Sequence, residues 1–600
     1  MKSNLFFLVL KIIIAALLLL SVFLIWGSFQ SFETLASLLN NLAPDGELES
    51  FDLFLFQTLK LPLMVIGVAL ALASGTMLSR WEKTRTYIQT IPIRAKGFLR
   101  LLARDTGTFA RDLKVSITSQ GWQTNTVLLG VFFVALVLRV ANLNIPLGHD
   151  EPYMYNAFAS RSFWHIVSNY HLPNNHVFLS ILIKIVTGLL GNHVWTLRLP
   201  TILAGSLMVP AAYFFGKRFY SKETGLLSAV VVAIFPTLIQ YSVYARGYIV
   251  IGLITLLLFT LGDYVREKKN RFAWVLISVL SALGFYTIPI MLFPFGALYI
   301  WLLLSSVFGD THSGIPKANF LKYWFGSGIL AALITILLYA PIMIYSFDRF
   351  FGNGFIAPVA REIFWVTLQT RLRNTWIEWT MSIPLWIQFL FVLGFVIALV
   401  FHKRFTGQRV SPQLAFILWI AILLLARRPN MMPRMWLFLA APLLVWASAG
   451  IVESLRSIPL RFGKGWNPAH AAVTIVFVIA FAQGILIVPS LPARVTQKDD
   501  MEMVTIHLKN NLQQGDLVTS STALLPVLRY FFNSHEISAG YIRQSGEFQR
   551  AYIIVDLPSG ETLEGVSPKL GFDYPAIDMD TARVFAQFGN LTIYECYPIQ

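Results

Sequence analysis

Long apolar runs constrain this chain more than any other feature of its sequence. Hydrophobic residues make up 56% of the 600 residues, and the mean hydropathy is +0.63. Many of the runs are about 18 to 25 residues long, which is the length that an α-helix needs to cross ~30 Å of hydrocarbon. A soluble chain of this length has no single core large enough to hide so much apolar surface. The sequence therefore predicts an all-α polytopic membrane protein.

We expect about 13 transmembrane helices, one for each apolar run long enough to span a bilayer. The first run is longer than the apolar part of a typical signal peptide and no clear cleavage site follows it, which favours an uncleaved anchor. The segment 177–190 is short and carries Lys184, which favours a helix that lies at the outer face or re-enters it. The predicted spans are 4–27, 54–79, 126–143, 196–215, 223–240, 248–264, 272–288, 289–306, 325–345, 384–401, 413–426, 435–452 and 470–489.

The charges are distributed in a way that indicates membrane orientation. The net charge is +16, although residues 491–600 hold 8 Lys and Arg against 13 Asp and Glu. Most of the cations lie in short loops between apolar runs, which is typical of cytoplasmic loops and not of a nucleic-acid-binding surface. Segment 80–123 has nine Lys and Arg against three acidic residues, and its spacing predicts an amphipathic helix on anionic lipid at the cytoplasmic face. We expect the bilayer as a partner and no nucleic acid.

These patterns divide the chain into four parts. Residues 1–79 form two extra N-terminal transmembrane helices, residues 80–124 a basic cytoplasmic linker, and residues 125–490 the transmembrane core. The pattern of residues 491–600 predicts a small α/β domain, because two strand-like segments, DLVTSS and AYIIVD, alternate with helix-like segments. The alternation of charged loops predicts a multi-pass protein of the plasma or inner membrane, with a cytoplasmic N-terminus and an extracytoplasmic C-terminal domain. The single cysteine, Cys596, excludes an internal disulfide.

Four polar motifs fall in loops that this topology assigns to the outer face. They are GHDEP at 148–152, PNNH at 173–176, YARGY at 244–248 and RRPNMMPRM at 427–435. Arginines in outward loops run against the positive-inside trend, and the guanidinium group is suited to bidentate binding of phosphate. Arginines at a lipid surface predict a lipid-linked phosphate as ligand. The neighbouring carboxylates predict a second reactant that loses a proton to one of them.

The order of these motifs resembles a family of enzymes. The chain is similar to GT-C integral membrane glycosyltransferases in the order of its motifs. These are an acidic pair after an early span, then PNNH, then LRLPTILAGSLMVPAAYFFGKRFYSKETG, YARGY and PRMWLFLAAPLL. The resemblance is to the protein mannosyltransferase and aminoarabinose transferase type, a family 39-like group, in its bacterial branch with PNNH and ARGY motifs. It covers about 125 to 490 and implies a GT-C transmembrane core.

The resemblance also implies a reaction. Such enzymes pass a sugar from a polyprenyl-phosphate donor to an acceptor hydroxyl on a glycan, lipid or protein, usually with inversion. Asp150 matches the catalytic aspartate, which we expect to act as the base. Glu151 matches its acidic neighbour, which we expect in the catalytic site as a residue that positions Asp150 or contacts the acceptor. Arg246 and Arg434 match basic positions suited to the donor phosphate, and His149, Asn175 and His176 match further motif positions. Because neighbouring carboxylates do not both ionise freely near apolar surface, we expect one of the two pKa values to be raised.

Several local interpretations stay open on the sequence alone. His176 is a hydrogen-bonded loop histidine, a substrate contact or a metal ligand. Cofactors are unknown: a divalent ion is compatible with the residue types of His149, Asp150, Glu151 and His176, but no ligand spacing is diagnostic. Tyr286 either lines the site or belongs to the interfacial aromatic belt. Two other functions also stay open, a transporter or flippase of lipid-linked sugars and a non-catalytic subunit of envelope polysaccharide assembly.

Overall fold

The computed structural model describes eight stretches of the chain. It divides into two compact units, Met1–Ala110 with Ser346–Gly354, and Arg111–Tyr345 with Phe355–Gln600. The predicted span 470–489 lies outside the described residues. The described stretches are 2–40, 53–143, 145–312, 314–346, 358–457, 497–542, 548–566 and 577–599.

The first unit is helical where it is described. Two long apolar helices, α1 and α3, pack against each other, and Gly67 of α3 lies so close to α1 that an added Cβ would be 2.8 Å from the Ile25 side chain. Their outer surfaces carry many exposed leucine, valine and phenylalanine side chains, as helices that face lipid do. The basic segment predicted to be a linker is a continuous helix of 38 residues, α4. The helices are α1 (Lys2–Phe29), α2 (Phe32–Asn40), α3 (Leu53–Ser79) and the part of α4 (Trp81–Thr118) that ends at Ala110.

The second unit contains the remaining helices of the predicted core. A five-residue π-helical turn, Tyr155–Ala159, follows α6, and 3₁₀ turns at Pro289–Met291 and Pro433–Trp436 precede α14 and α20. The helices are α5 (Trp122–Ala141), α6 (Asp150–Met154), α7 (Phe163–Ser168), α8 (Val177–Leu190), α9 (Val194–Phe219), α10 (Lys222–Ile234), α11 (Pro236–Ser242), α12 (Tyr248–Glu267), α13 (Arg271–Thr287), α14 (Leu292–Val307), α15 (Lys317–Tyr345), α16 (Arg361–Thr380), α17 (Leu385–Val400), α18 (His402–Thr406), α19 (Pro412–Arg427) and α20 (Leu437–Ser457).

The chain is a multi-pass α-helical membrane protein. Within the described residues, eight helices are long and apolar enough to cross a membrane, or up to ten if each bent pair is one span. The count of 13 spans is therefore not confirmed, although the twelve described apolar runs all form helices. Two of these helices, α13 and α19, are shorter than a full span, as is α8, which was not predicted to span the bilayer. Two pairs are bent, α10 with α11 by 59° at Phe235, just before Pro236, and α16 with α17 by 117°.

Small residues allow the helices of the core to approach one another. Helix α9 packs against α5, α10 and α12, and α20 packs against α10, α12 and α17. The backbones of α17 and α20 almost touch, since a Cβ at Gly450 would meet the carbonyl oxygen of Gly394. Close backbone contact at glycine is a common way of joining helices in lipid, where no hydrophobic force drives them together.

The C-terminal domain is a small α/β domain, as predicted. A four-stranded sheet has the order β1-β2-β4-β3, in which β1 and β2 are parallel and the other pairs are antiparallel. Strands β1 and β2 and helices α21 and α22 fall on segments that the sequence pattern indicated, whereas α23, β3 and β4 were not predicted. The elements are α21 (Gln497–Asn511), β1 (Leu517–Ser520), α22 (Leu525–Ser534), β2 (Ala551–Asp556), α23 (Leu563–Val566), β3 (Ile577–Phe588) and β4 (Leu591–Pro598).

Candidate active site

Asp150 lies at the centre of a cluster of basic side chains. One of its carboxylate oxygens, Oδ2, is 3.1 Å from Nη1 of Arg434 and 3.9 Å from Nη2 of Arg246. The other oxygen, Oδ1, is 3.5 Å from Nδ1 of His149. The Asp150 side chain remains 31% exposed, so a ligand can reach it. The structure thus brings together residues that are far apart in the sequence and that belong to three of the four outer motifs.

The electrostatic state of Asp150 differs from the expectation. Burial favours its neutral form, but the positive charges of Arg246 and Arg434 outweigh burial and lower the pKa of Asp150 below its ordinary value. The prediction of a raised pKa assumed that Asp150 and Glu151 repel each other. For Asp150 that prediction was wrong, because arginine charges dominate its surroundings. Asp150 is therefore ionised at neutral pH.

The two arginines reach Asp150 from different elements. Arg246 lies in the turn between α11 and α12, and Arg434 lies in the 3₁₀ turn before α20. The aromatic ring of Tyr248 lies 5.9 Å from the Arg246 guanidinium, and the Tyr248 side chain is also close enough to Arg434 to act on its charge. The Nε atoms of both arginines are buried without a hydrogen-bond partner among the described residues. The pair therefore retains unused donors, which is the arrangement that an anionic ligand such as phosphate requires.

Glu151, although adjacent to Asp150, faces the opposite way and is buried. It accepts two hydrogen bonds from the fully buried Arg198 of α9, Nε to Oε1 at 3.1 Å and Nη2 to Oε2 at 2.9 Å. It accepts a third from the backbone N–H of Ala245 at 2.7 Å. Arg198 also donates to the carbonyl oxygens of Leu143 and Ile145. Glu151 thus connects α6 to α9 and to the ARGY turn, and both of its carboxylate oxygens are occupied by these hydrogen bonds.

The PNNH motif stabilises the same turn. Asn175 is buried, and its amide donates to the carbonyl oxygens of Ile166 and Asn169 while its oxygen accepts from Ser180. Nδ1 of His176 accepts the backbone N–H of Gly247 at 2.8 Å. Burial, together with the charges of Arg246 and Arg434, lowers the pKa of His176 well below its ordinary value, so the ring is neutral. Of the three interpretations of His176, this contact favours the hydrogen-bonded loop histidine.

Gly247 is required beside this histidine. A Cβ there would be 2.5 Å from Cγ2 of Thr287 and 3.2 Å from Nδ1 of His176. No side chain fits without displacing one of these neighbours. The glycine of the ARGY motif therefore permits the close packing that holds Arg246 next to Asp150.

The other two predicted site residues are placed differently. His149 is half exposed, and its ring stacks on Tyr153 with centroids 5.8 Å apart. Tyr286 is buried in α13, where its ring packs edge-on against Tyr339 of α15 at 5.3 Å. None of the contacts recorded for Tyr286 in the described structure involves Asp150, Arg246 or Arg434. The Tyr286 ring thus contributes to the packing between α13 and α15.

Two residues of the cluster were missed by the sequence analysis. Arg198 was treated as part of an apolar span, yet an arginine inside such a run is costly in lipid and signals a specific partner. Tyr248 was quoted only as a letter of the ARGY motif, although the residue after Arg246-Gly247 is close enough to contact both arginines. Among the described residues, no group of three or more His, Cys, Asp or Glu side chains is arranged to hold a metal ion.

Comparison with known proteins links part of this chain to one family. Residues 175–339 match the family model of dolichyl-phosphate-mannose-protein mannosyltransferases. The match includes His176, Arg246 and the helices between them, so the resemblance noted from the sequence is confirmed over this segment. Among curated proteins, none matches this chain.

Solved structures with a related arrangement are distant in sequence. The archaeal oligosaccharyltransferase AglB from Archaeoglobus fulgidus, in complex with an inhibitory peptide and a dolichol-phosphate, is 13% identical over 73% of this chain and 70% of that chain, with a TM-score of 0.47. ArnT from Cupriavidus metallidurans, bound to undecaprenyl phosphate, is 13% identical over 79% of this chain and 97% of that chain, with a TM-score of 0.48. At these values the likeness by itself assigns neither a substrate nor a residue role.

Proposed function

We propose that this protein is a membrane glycosyltransferase that moves a sugar from a polyprenyl-phosphate donor to an acceptor hydroxyl. The reaction takes place at the outer face of the plasma or inner membrane and inverts the configuration at the anomeric carbon. Asp150 is the general base, and Arg246 and Arg434 bind the donor phosphate. The matched family description, which names a dolichyl-phosphate sugar, supports this class of donor.

One observation supports the proposal more than any other. A partly exposed, ionised carboxylate lies 3.1 Å and 3.9 Å from two arginines that come from separate turns. An ionised carboxylate accepts a proton, and two converging guanidinium groups stabilise a phosphate that gains negative charge. Both requirements of sugar transfer from a lipid phosphate are therefore met within one cluster beside apolar helices.

The chemical step follows from this arrangement. The acceptor hydroxyl gives its proton to a carboxylate oxygen of Asp150 as its own oxygen forms a bond to the anomeric carbon. The bond between the anomeric carbon and the phosphate oxygen breaks, and its electron pair leaves with the polyprenyl phosphate. Arg246 and Arg434 stabilise the charge that develops on this leaving group. The attack and the departure occur on opposite faces of the sugar, which gives inversion.

Donor binding also changes the base. Without donor, the arginines hold the pKa of Asp150 below its ordinary value. A phosphate that binds the same arginines neutralises their charge and adds negative charge nearby, and both effects raise the affinity of Asp150 for a proton. The carboxylate therefore becomes a stronger base only when the leaving group is in place.

The test uses the purified full-length chain and a set of synthetic polyprenyl-phosphate sugars, with release of polyprenyl phosphate as the readout. Asp150→Asn keeps the shape but removes the proton acceptor, so turnover should fall by roughly 10² to 10⁴-fold while donor binding persists. Asp580→Asn, an exposed change in β3, is the matched control and should have no effect.

The same assay separates the proposal from the two other functions. A transporter or flippase would move lipid-linked sugar across proteoliposomes without releasing polyprenyl phosphate. A non-catalytic subunit would do neither. An Asp150→Asn variant with full transferase activity would exclude Asp150 as the base.

A further inference from the structure

A large cavity lies between the outer loop that follows α5 and the C-terminal domain. Its volume is about 1170 Å³. His149, Tyr153 and His171 contribute to its wall from the loop, and Arg529 and Asn533 of α22 contribute from the C-terminal domain. Clefts that bind small molecules usually measure ~300–1,000 Å³. This cavity therefore has room for several linked sugar units.

The cavity adjoins the candidate active site through a single residue. His149 lines the cavity, and its Nδ1 is 3.5 Å from Oδ1 of Asp150. The other oxygen of Asp150 faces Arg434 and Arg246. The carboxylate thus lies between the two arginines on one side and a cavity residue on the other. A hydroxyl presented from the cavity would approach the oxygen that the arginines do not occupy.

The wall of the cavity is preformed by contacts between the loop and the domain. The Asn156 amide donates to the carbonyl oxygen of Pro526 at 3.0 Å, and Asn533 donates to the Asn156 side-chain oxygen at 3.1 Å. The rings of Tyr155 and Tyr530 pack edge to face at 5.4 Å. These contacts fix α22 against the loop, so the two sides of the cavity form one site.

Aromatic and imidazole rings on the loop side are held in fixed orientations. Nδ1–H of His171 donates to the side-chain oxygen of Asn169 at 2.7 Å, which leaves Nε2 to accept the Tyr153 hydroxyl at 3.2 Å. His149 stacks on the Tyr153 ring. Rigid rings with polar edges suit the apolar faces and hydroxyl groups of sugars.

The charge of the cavity wall has one sign. Two arginines, Arg161 and Arg529, and three histidines line it, and none of the described residues in its lining is an aspartate or glutamate. Arg161 donates its Nε to the carbonyl oxygen of Asn156 and has no recorded carboxylate partner in the described structure. Arg529 forms no hydrogen bond or ion pair with any other described residue. Cations that no carboxylate neutralises attract an anionic ligand, and guanidinium groups suit carboxylate and phosphate alike.

We infer that this cavity binds the acceptor, and that the acceptor is an anionic oligosaccharide that carries carboxylate or phosphate groups. Arg529 recognises the anionic group, and the acceptor hydroxyl extends past His149 to Asp150. This inference rests on the proposed glycosyl transfer but makes a claim of its own, which binding measurements test without turnover.

The test compares three probes with the same backbone: maltohexaose, maltohexaose oxidised to uronic acids at C6, and maltohexaose phosphorylated at C6. Binding to the full-length protein is measured by calorimetry in nanodiscs of zwitterionic lipid, which removes anionic lipid as a competitor. We expect at least one charged probe to bind ~10-fold tighter or more than the neutral probe. Arg529→Gln should lower the affinity for the charged probe about tenfold and leave the neutral probe unchanged.

Two further variants test whether a loss of affinity reflects the cavity and not general misfolding of the domain. Arg161→Gln should weaken the charged probe in the same direction, and Lys509→Gln removes a charge from the same domain on an exposed face of α21 and should change nothing. Equal affinity for all three probes, binding of none of them, or an Arg529→Gln variant that binds like the parent would overturn the inference.

The outcome can be separated from the outcome for the proposed function. Asp150→Asn should bind the charged probe normally even though transfer is lost. Charge-dependent binding without any transfer from polyprenyl-phosphate sugars would contradict the proposed function and leave the cavity assignment standing. Transfer to neutral acceptors, with no charge-dependent binding, would contradict only the assignment of the cavity.

Discussion

Glu151 and Arg198 form a buried, two-pronged ion pair that links α6 to α9, with hydrogen bonds of 3.1 Å and 2.9 Å. Neither side chain is accessible to solvent to any useful extent. The adjacent Asp150 instead faces two arginines and remains partly exposed. Two consecutive carboxylates thus have separate tasks, one structural and one that we propose to be catalytic.

The first prediction concerns the stability that the Glu151–Arg198 pair provides. Glu151→Gln leaves the Arg198 charge buried without compensation, which typically costs ~3–5 kcal/mol when a buried pair is broken. We expect a lower unfolding temperature and a parallel loss of activity, because the ARGY turn loses its tie to α6. Thermal unfolding of the purified protein in detergent measures the effect.

A double variant distinguishes a direct pair from general damage. Glu151→Gln combined with Arg198→Met should destabilise by less than the sum of the single changes, with a coupling above ~1 kcal/mol. Asp150→Asn is the neighbouring control and should lose turnover with little change in unfolding temperature. A Glu151→Gln variant that stays fully stable but inactive would instead assign Glu151 to the chemistry.

The second prediction concerns the arginines that face Asp150. Arg246→Ala and Arg434→Ala should each weaken donor use by about tenfold or more, since each removes a charged hydrogen-bond donor from a phosphate. Lysine at either position should restore activity only in part, because it lacks the planar fork. The measurement is kcat/KM for the polyprenyl-phosphate donor.

Arg427 provides the matched control for this experiment. It is exposed in the last turn of α19, seven positions before Arg434, and we expect Arg427→Ala to retain normal donor use. Equal losses in all three alanine variants would indicate a general attraction to anionic lipid and not a phosphate site. Normal donor use in the Arg246 and Arg434 variants would remove both from the site.

The third prediction concerns orientation in the membrane. Charge bias predicts that α4 is cytoplasmic and that the C-terminal domain is extracytoplasmic. Single cysteines at Ser119 and Lys509, both exposed, are introduced into a Cys596→Ser background and labelled in intact cells with a membrane-impermeant maleimide. Lys509→Cys should react in intact cells, and Ser119→Cys only after the cells are opened. The opposite pattern would move Asp150 to the cytoplasmic face and contradict the proposed topology.

The sequence predicted the helices better than it predicted the roles of individual residues. Apolar runs of spanning length are read directly from composition, so the described runs all form helices. The motifs also located Asp150, Arg246 and Arg434, which meet in the structure. The pairing of Glu151 with Arg198 was not predicted, because Arg198 lies within an apolar run that was interpreted only as a membrane span.

Other errors have equally specific causes. The raised pKa expected for one carboxylate followed from chain adjacency, whereas the charges that act on Asp150 come from turns about 100 and 280 positions away. Strands β3 and β4 were missed because charged and polar residues interrupt their apolar pattern. These features depend on contacts between residues that are far apart in the sequence, and the local periodicity of the sequence does not predict such contacts.

The last prediction uses pH to detect the effect of donor binding on Asp150. In the free enzyme the arginines lower the pKa of Asp150, so kcat/KM for the donor should fall only below the ordinary carboxyl range near ~3.9. In the donor complex the phosphate offsets the arginine charges, so the acid limb of kcat should lie at higher pH, by about one unit. Both profiles are measured at saturating acceptor.

Three variants test whether the acid limbs report the titration of Asp150. Arg434→Gln should raise the free-enzyme limb toward the limb of the complex, whereas Arg427→Gln should leave both limbs in place. Because the pKa of Asp150 is lowered in the folded protein, its ionised form stabilises the fold at pH values above the ordinary carboxyl pKa, and this stability is lost as the pH falls through the folded value. Acid unfolding would therefore also lower activity. To exclude it, activity must recover when the protein is returned to neutral pH. Superimposed limbs, or an acid limb that persists in Asp150→Asn, would show that another group titrates and that donor binding does not activate Asp150.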